Sequence, residues 1–194
     1  MRAHKPMIMA TRGGLPAGTF AWSLRPRSPR QPAIFSVDPD QGLLGNALSA
    51  RITEATRLTA EAAVAAGLLE LASQRLAKPI HDLHNLMSRA VARFLITGQG
   101  TTETERSFIG RVGVIGARYG LSVATLTRSY LLWRDTNLRI LDEEVDRLGI
   151  GQPASSMARK IISSSADSGI LRMARAYDSQ TDELVTSPLA GKVA

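Results

Sequence analysis

Apolar side chains recur every three or four positions from about residue 47 onward, which is the spacing of one face of an α-helix. The alternation of apolar and polar residues that is typical of half-buried strands does not appear. The pattern predicts an all-α fold of five to six helices over residues 42–184. We expect residues 185–194 to form a flexible tail.

The positions of proline and the three- or four-residue spacing of apolar side chains define the first helices. An alanine-rich stripe predicts a helix from about 47 to 67, and leucines extend the apolar pattern up to Lys78-Pro79. Because proline lacks a backbone N–H, we expect a break or kink there, with Pro79 in the first turn of the next helix. That next helix is strongly amphipathic, and Gly98-Gln99-Gly100 should end it.

Capping residues mark the later helices. Thr102 followed by Glu105 has the spacing of a capping box, and Ser122 can cap the helix after Gly120. Gly149 should end that helix, because glycine readily adopts the left-handed conformation found after a helix.

Residues 1–41 form a separate compositional segment, rich in proline and glycine. Residues 1–36 contain six basic side chains and no acidic one, whereas the rest of the chain has 18 basic and 17 acidic residues. The formal net charge of +7 therefore originates in this segment, which we expect to be disordered. Salt-dependent binding of nucleic acid through it is a weak alternative function. We expect no membrane span and a cytoplasmic location.

Little in the sequence indicates catalysis. The chain has no cysteine, which excludes disulfides, thiolate metal sites and a cysteine nucleophile. The acidic pairs Glu103/Glu105 and Glu143/Glu144 have no nucleophile or histidine at a known catalytic spacing. The serines at 163–165 and 168 lie within a helix, so we expect them to permit close helix approach or to line a small polar cavity. We predict that the protein is not an enzyme.

Two histidines offer an alternative chemistry. His81 and His84 are three residues apart, which places both on roughly one face of the helix after Pro79. Either could serve as an axial haem ligand, or the pair could bind a metal ion with a third ligand from elsewhere. The simpler interpretation is that both are surface or half-buried polar residues, with no bound cofactor.

A polar-aromatic cluster occurs in the helix that follows Ser122. Tyr130, Trp133, Arg134 and Asn137 lie within two turns and could clasp a planar ligand. The alternative is that Trp133 anchors the core while Arg134 and Asp135 pair with neighbouring helices.

Two features of the same region indicate a homodimer interface. One is the glycine face formed by Gly110, Gly113 and Gly116, where a partner helix or a ligand could approach closely. The other is an apolar seam along the next helix, for which the candidate interface residues are Leu126, Leu141, Val145 and Leu148.

The segment from Phe108 to Asp135 resembles the helical N-terminal sensor domains of bacterial signalling proteins, of the RsbR-type stressosome and PucR-type kinds. The resemblance is carried by Gly120-Leu121, the cap Ser122, and Leu126 to Tyr130 with Trp133 following. It implies a globin-like or bundle domain that often lacks haem, commonly dimerises and regulates a signalling protein or output domain. Because few residues follow the last predicted helix, we expect that output module on another chain or on a missing part of this one.

Overall fold

The computed structural model describes residues 37–68 and 74–186, which form six α-helices. They are α1 (Pro39–Ala50), α2 (Ile52–Ala65), α3 (Gln74–Thr97), α4 (Glu103–Arg118), α5 (Val123–Leu148) and α6 (Gln152–Thr186). The predicted all-α helical bundle of five to six helices is confirmed. The predictions for residues 1–36 and 187–194 lie outside the described residues.

The predicted helix from 47 to 67 is wrong in its bounds. Its first part belongs to α1, which begins at Pro39, inside the predicted extension, and Arg51 separates α1 from α2. The Asp38 carboxylate accepts a 2.9 Å hydrogen bond from the backbone N–H of Asp40 and caps α1, while Pro39 occupies the first turn. Aspartate followed by proline is a regular helix start, but here it is hidden in a proline-rich segment.

Arg51 fixes the junction of α1 and α2 against α5. Its guanidinium pairs with Glu54 at 2.7 Å, with Glu143 at 2.7 Å and with Glu144 at 3.1 Å. The hydrogen bonds from Arg147 and Arg51 lower the pKa of Glu144, which is buried, so this carboxylate is charged and paired. The acidic pair Glu143/Glu144 therefore connects helices.

Pro79 lies inside α3, so the predicted break at Lys78-Pro79 and the first-turn position of Pro79 are wrong. The predicted alternative, a kink at this point, stays a prediction. An internal proline removes one hydrogen bond of the helix and crowds the carbonyl four residues earlier. Burial of Leu76 and Leu83 on either side of Pro79 favours continuation of the helix into the core.

The predicted caps of the later helices are confirmed. Thr102 and Glu105 form a complete capping box at the start of α4, and the Ser122 side chain accepts a hydrogen bond from the backbone N–H of Thr125. Gly149 ends α5 with a φ of 66°. The last helix starts at Gln152 and continues to Thr186, two residues beyond the predicted domain end at 184.

The core lies where α3, α5 and α6 meet. Trp133 and Tyr130 of α5 are fully buried there, as is Met173 of α6. On one side α4 packs along α6, with Gly110 beside Ala176 and Arg118 donating to Gln180 at 3.0 Å, so these two helices run in the same direction. None of the helices in residues 37–68 and 74–186 is long and apolar enough to cross a membrane.

Candidate functional site

A cleft opens between α3, α4 and α6, with a volume of about 370 Å³. Its walls are mainly apolar and come from Leu86, Met87, Ala90, Phe94, Ile109, Met157 and Ile161. Hydroxyl groups and cations complete the lining, from Thr101, Ser164, Ser165, Ser168, Arg106, Lys160 and Arg172. The volume lies at the lower end of the roughly 300–1,000 Å³ that is typical of small-molecule sites. We call this site the α3–α4–α6 cleft.

The connection between α3 and α4 forms one fixed wall of the cleft. The Arg93 guanidinium makes two 2.7 Å hydrogen bonds to the Glu105 carboxylate and donates to the carbonyl of Gly100 at 3.2 Å. The hydrogen bonds from Arg93 lower the pKa of Glu105 to about 2. Arg106 donates to the carbonyl of Thr101 at 2.6 Å, so an arginine from each flanking helix holds this connection.

The charged residues that line the cleft are all cationic. Arg106 pairs with Glu103 at 2.7 Å, which offsets its charge. Lys160 and Arg172 are exposed and, within the described part of the chain, have no carboxylate within 4.0 Å. Because no aspartate or glutamate lines the cleft, its edge favours a negatively charged group.

A second, more polar groove adjoins the cleft between α4 and α6. The two share Arg106, Ser168 and Arg172, so the cleft continues directly into the groove. Beyond the shared residues the groove is lined by Ser107, Gly110, Leu171, Arg175, Ala176 and Ser179. An elongated site results, apolar at one end and hydroxyl- and arginine-lined at the other.

Gly169 brings α6 against the aromatic ring that underlies the cleft. A Cβ atom at this position would lie 2.6 Å from Cε1 of Tyr130 and 3.5 Å from the terminal methyl of Met87. Since only glycine fits, the ring of Tyr130 directly backs the wall that Gly169 and Met87 form. Burial raises the pKa of the Tyr130 hydroxyl, which has no hydrogen-bond partner among the described residues.

Behind this wall lies a closed polar chain in the core. The indole N–H of Trp133 donates to the Ser88 hydroxyl at 2.9 Å, and Ser88 donates to the Asn137 side-chain oxygen at 3.2 Å. The Asn137 amide returns a 2.8 Å hydrogen bond to the carbonyl of Trp133. Because the hydrogen-bonding groups of these side chains are paired with one another, we assign the three residues a structural role.

The four residues predicted as a ligand cluster are therefore not a single site. Tyr130, Trp133 and Asn137 are buried, whereas Arg134 lies at the surface and pairs with the adjacent Asp135 at 2.9 Å. The alternative interpretation was correct in making Trp133 a core anchor. It was wrong in pairing Arg134 with a neighbouring helix, since its carboxylate partner is the next residue of α5.

The histidines do not face a common site either. His84 is 2 % exposed, whereas the His81 side chain is 57 % exposed and lies 3.7 Å from the Asp82 carboxylate. Burial and, less strongly, the charge of His81 lower the pKa of His84 to about 4, while the backbone of Ser129 acts in the opposite direction. Neither histidine lines the α3–α4–α6 cleft. The two histidines therefore lie in different environments, His84 in the core and His81 at the surface, and cofactor binding by either one stays a prediction.

Most residues of the predicted dimer interface pack against other helices of the same chain. Gly113 lies against the backbone of Met173, and Gly116 lies against the Leu126 side chain. Gly110 is partly accessible, beside Ala176 of α6. Leu126 and Leu141 are fully buried, and Val145 and Leu148 are partly buried against the same core. Gly113, Gly116, Leu126 and Leu141 therefore pack within one chain, which corrects their assignment to a second copy. An interface through Gly110, Val145 and Leu148 stays a prediction.

Sequence reasoning missed the cleft, although part of its lining was noted. The serines of α6 were predicted either to permit close helix approach or to line a small polar cavity, and Ser164, Ser165 and Ser168 do line the cleft. The remaining signal was the pair of basic residues on the same helix, Lys160 and Arg172, twelve positions apart. Their spacing does not reveal the cleft in the sequence, because the cleft forms only where α3 and α4 pack beside α6.

Comparisons with known protein families, with curated proteins and with solved structures find no match to this chain.

Proposed function

We propose that this chain is a non-enzymatic regulatory domain of bacterial signal transduction that senses a small apolar molecule. The observation that carries the proposal is the α3–α4–α6 cleft, with its apolar walls and its edge of hydroxyl groups and cations. Pockets with mostly apolar walls and a few polar groups at fixed positions are the usual form of a ligand-binding site. The resemblance to stressosome and PucR-type sensor domains supports a role in regulation in the cytoplasm.

The long helix α6 offers a route from the cleft to a partner. Ile161 and Gly169 of α6 line the cleft, and the same helix continues to Thr186. Near that end, Leu184 is 55 % and Val185 is 80 % exposed. We propose that a second copy of the chain or a signalling partner contacts this end of α6. A ligand that displaces α6 would then alter that contact.

Binding of an uncharged, apolar fluorescent dye tests the proposal at the cleft. N-phenyl-1-naphthylamine should bind the full chain and gain fluorescence, because the apolar walls would exclude water from it. Replacing Ser165 with phenylalanine should fill the cleft and weaken dye binding roughly 10-fold or more. Ser163→Phe is the matched control, since Ser163 is also partly buried on α6 but does not line the cleft.

The regulatory part of the proposal has its own measurement. Light scattering of the full chain should show a dimer that Leu184→Ser and Val185→Ser together weaken, and saturating dye should shift the monomer–dimer equilibrium. A folded chain that binds no dye, or that binds it equally well with Ser165→Phe, would refute the sensing site. A monomer at every concentration, with and without dye, would refute dimerisation through α6.

A further inference from the structure

The α3–α4–α6 cleft and the adjoining groove together select for a particular shape of ligand. Met157 lies at one end of the cleft and Arg172 at the junction with the groove. At a rise of about 1.5 Å per residue, these two positions of α6 are about 22 Å apart along the helix. A long, narrow molecule lying along α6 therefore matches the site better than a compact one.

The apolar end of this path is suited to an alkyl chain. Met87 and Met157 contribute unbranched, adaptable thioether side chains, and Phe94 and Ile161 are among the other apolar residues of the lining. Within the described lining, the hydrogen-bonding side chains of this part of the cleft are hydroxyls of α6 and the exposed Lys160, which lie at its edge. An alkyl chain makes no hydrogen bonds, so it is compatible with this lining.

The opposite end is suited to an anion. Arg172 and Arg175 project from consecutive turns of α6 into the groove, where Ser107 and Ser179 supply hydroxyl groups. Arg106 is already engaged by Glu103, so Arg172 is the arginine at the junction that is available to a ligand. A guanidinium can hold a carboxylate through two parallel hydrogen bonds, which a lysine ammonium cannot do.

We infer that the ligand of the α3–α4–α6 cleft is a free fatty acid, with its alkyl chain between Met87 and Met157 and its carboxylate at Arg172. The inference rests on the proposed function and adds the chemical class of the molecule that is sensed. Charge complementarity also argues against self-occupancy by the N-terminal segment, because residues 1–36 carry six basic side chains and no acidic one.

Calorimetric titration of the full chain with dodecanoate and dodecanol, both below the concentrations at which they aggregate, tests this inference. Dodecanoate should bind roughly 10-fold or more tightly than dodecanol, because only the carboxylate can accept two charge-assisted hydrogen bonds from the Arg172 guanidinium. Arg172→Gln should remove most of that difference without changing dodecanol binding. Lys160→Gln is the matched control, because it also removes one exposed cation from the cleft edge but at the apolar end.

The outcomes separate this inference from the function on which it rests. Equal binding of dodecanoate and dodecanol, with the dye still bound in the cleft, would overturn the fatty-acid inference and leave the sensing site intact. A preference for dodecanoate that Lys160→Gln abolishes and Arg172→Gln retains would overturn the placement of the carboxylate. Dodecanoate binding that disappears as protein concentration rises would show that a second copy occupies the cleft, and would also overturn it. A folded chain that binds neither the dye nor dodecanoate would refute the cleft as a ligand-binding site.

Discussion

The indole nitrogen of Trp133 on α5 lies 2.9 Å from the hydroxyl oxygen of Ser88 on α3. Ser88 stands beside Met87, which lines the α3–α4–α6 cleft, while Trp133 is fully buried. The same hydroxyl donates to Asn137, so a single serine satisfies two buried polar groups of α5. The helix that forms a wall of the cleft is thus fixed to the core directly behind the cleft.

Removing this hydroxyl should destabilise the fold. In Ser88→Ala, the Trp133 N–H loses its acceptor and the Asn137 oxygen loses its donor, and each unsatisfied buried group costs about 1–3 kcal/mol. We expect the free energy of unfolding in urea to fall by about 2–4 kcal/mol. Ser49→Ala, at an exposed position of α1, is the control and should change it by less than about 0.5 kcal/mol. A Ser88→Ala protein as stable as its parent would show that the hydrogen-bond chain contributes nothing.

Two glycines on one face of α4 should respond oppositely to the same substitution. A Cβ at Gly113 would overlap the backbone carbonyl of Met173, whereas a Cβ at Gly110 would lie 3.8 Å from that of Ala176, which is ordinary contact. Gly113→Ala should therefore destabilise the protein by more than about 2 kcal/mol, because backbone must move. Gly110→Ala should be neutral or stabilising by up to about 1 kcal/mol, through better helix propensity.

Thermal unfolding of the two glycine variants at one pH suffices for this comparison. If both alanines were tolerated, α4 and α6 would not be packed as the structure has them, and the glycine face would again be free for a second copy. Equal destabilisation by both would instead indicate that Gly110 is also enclosed.

Burial of His84 should make stability depend on pH in a defined window. The pKa of His84 is lowered to about 4 in the folded chain and is about 6.5 when the chain is unfolded. Between these values the unfolded state takes up a proton that the folded state does not, so stability falls as pH decreases from about 6.5 to about 4. At about 1.36 kcal/mol per pH unit, the loss from pH 7 to pH 5 is about 2 kcal/mol.

Urea unfolding at pH 7 and pH 5 measures this dependence. His84→Phe should remove most of the loss, because the buried group no longer titrates. His81→Gln is the control and should retain it, since the His81 side chain is largely exposed. If the parent and the His84→Phe variant lost stability equally over this range, His84 would not be the group responsible.

The fold could be predicted further from the sequence than the site could. Helix starts with a local chemical signature, such as Thr102 with Glu105 and Ser122, were identified correctly because capping depends on neighbours within three residues. The first-turn position predicted for Pro79 is wrong because the local cost of an internal proline is offset by burial of residues such as Leu76, which is a tertiary effect.

The candidate site depends on contacts that no single stretch of sequence contains. Gly113 and Leu126 carry the pattern expected of an interface, and the pattern does not reveal whether the partner helix belongs to the same chain. The structure shows that α6 and α4 of one chain fill that role. Likewise, Met87 and Met157 come together only because α3 and α6 flank the same opening.

Methyl NMR of the full chain with labelled methionines tests the ligand-binding account most directly, because three methionines of the described residues lie in two environments. Met87 and Met157 line the cleft, whereas Met173 is fully buried in the core. Titration with dodecanoate should shift the Met87 and Met157 methyl resonances progressively and to saturation, and should move that of Met173 much less. Unchanged Met87 and Met157 resonances at a dodecanoate concentration that calorimetry shows to be saturating would place the ligand elsewhere and contradict the account.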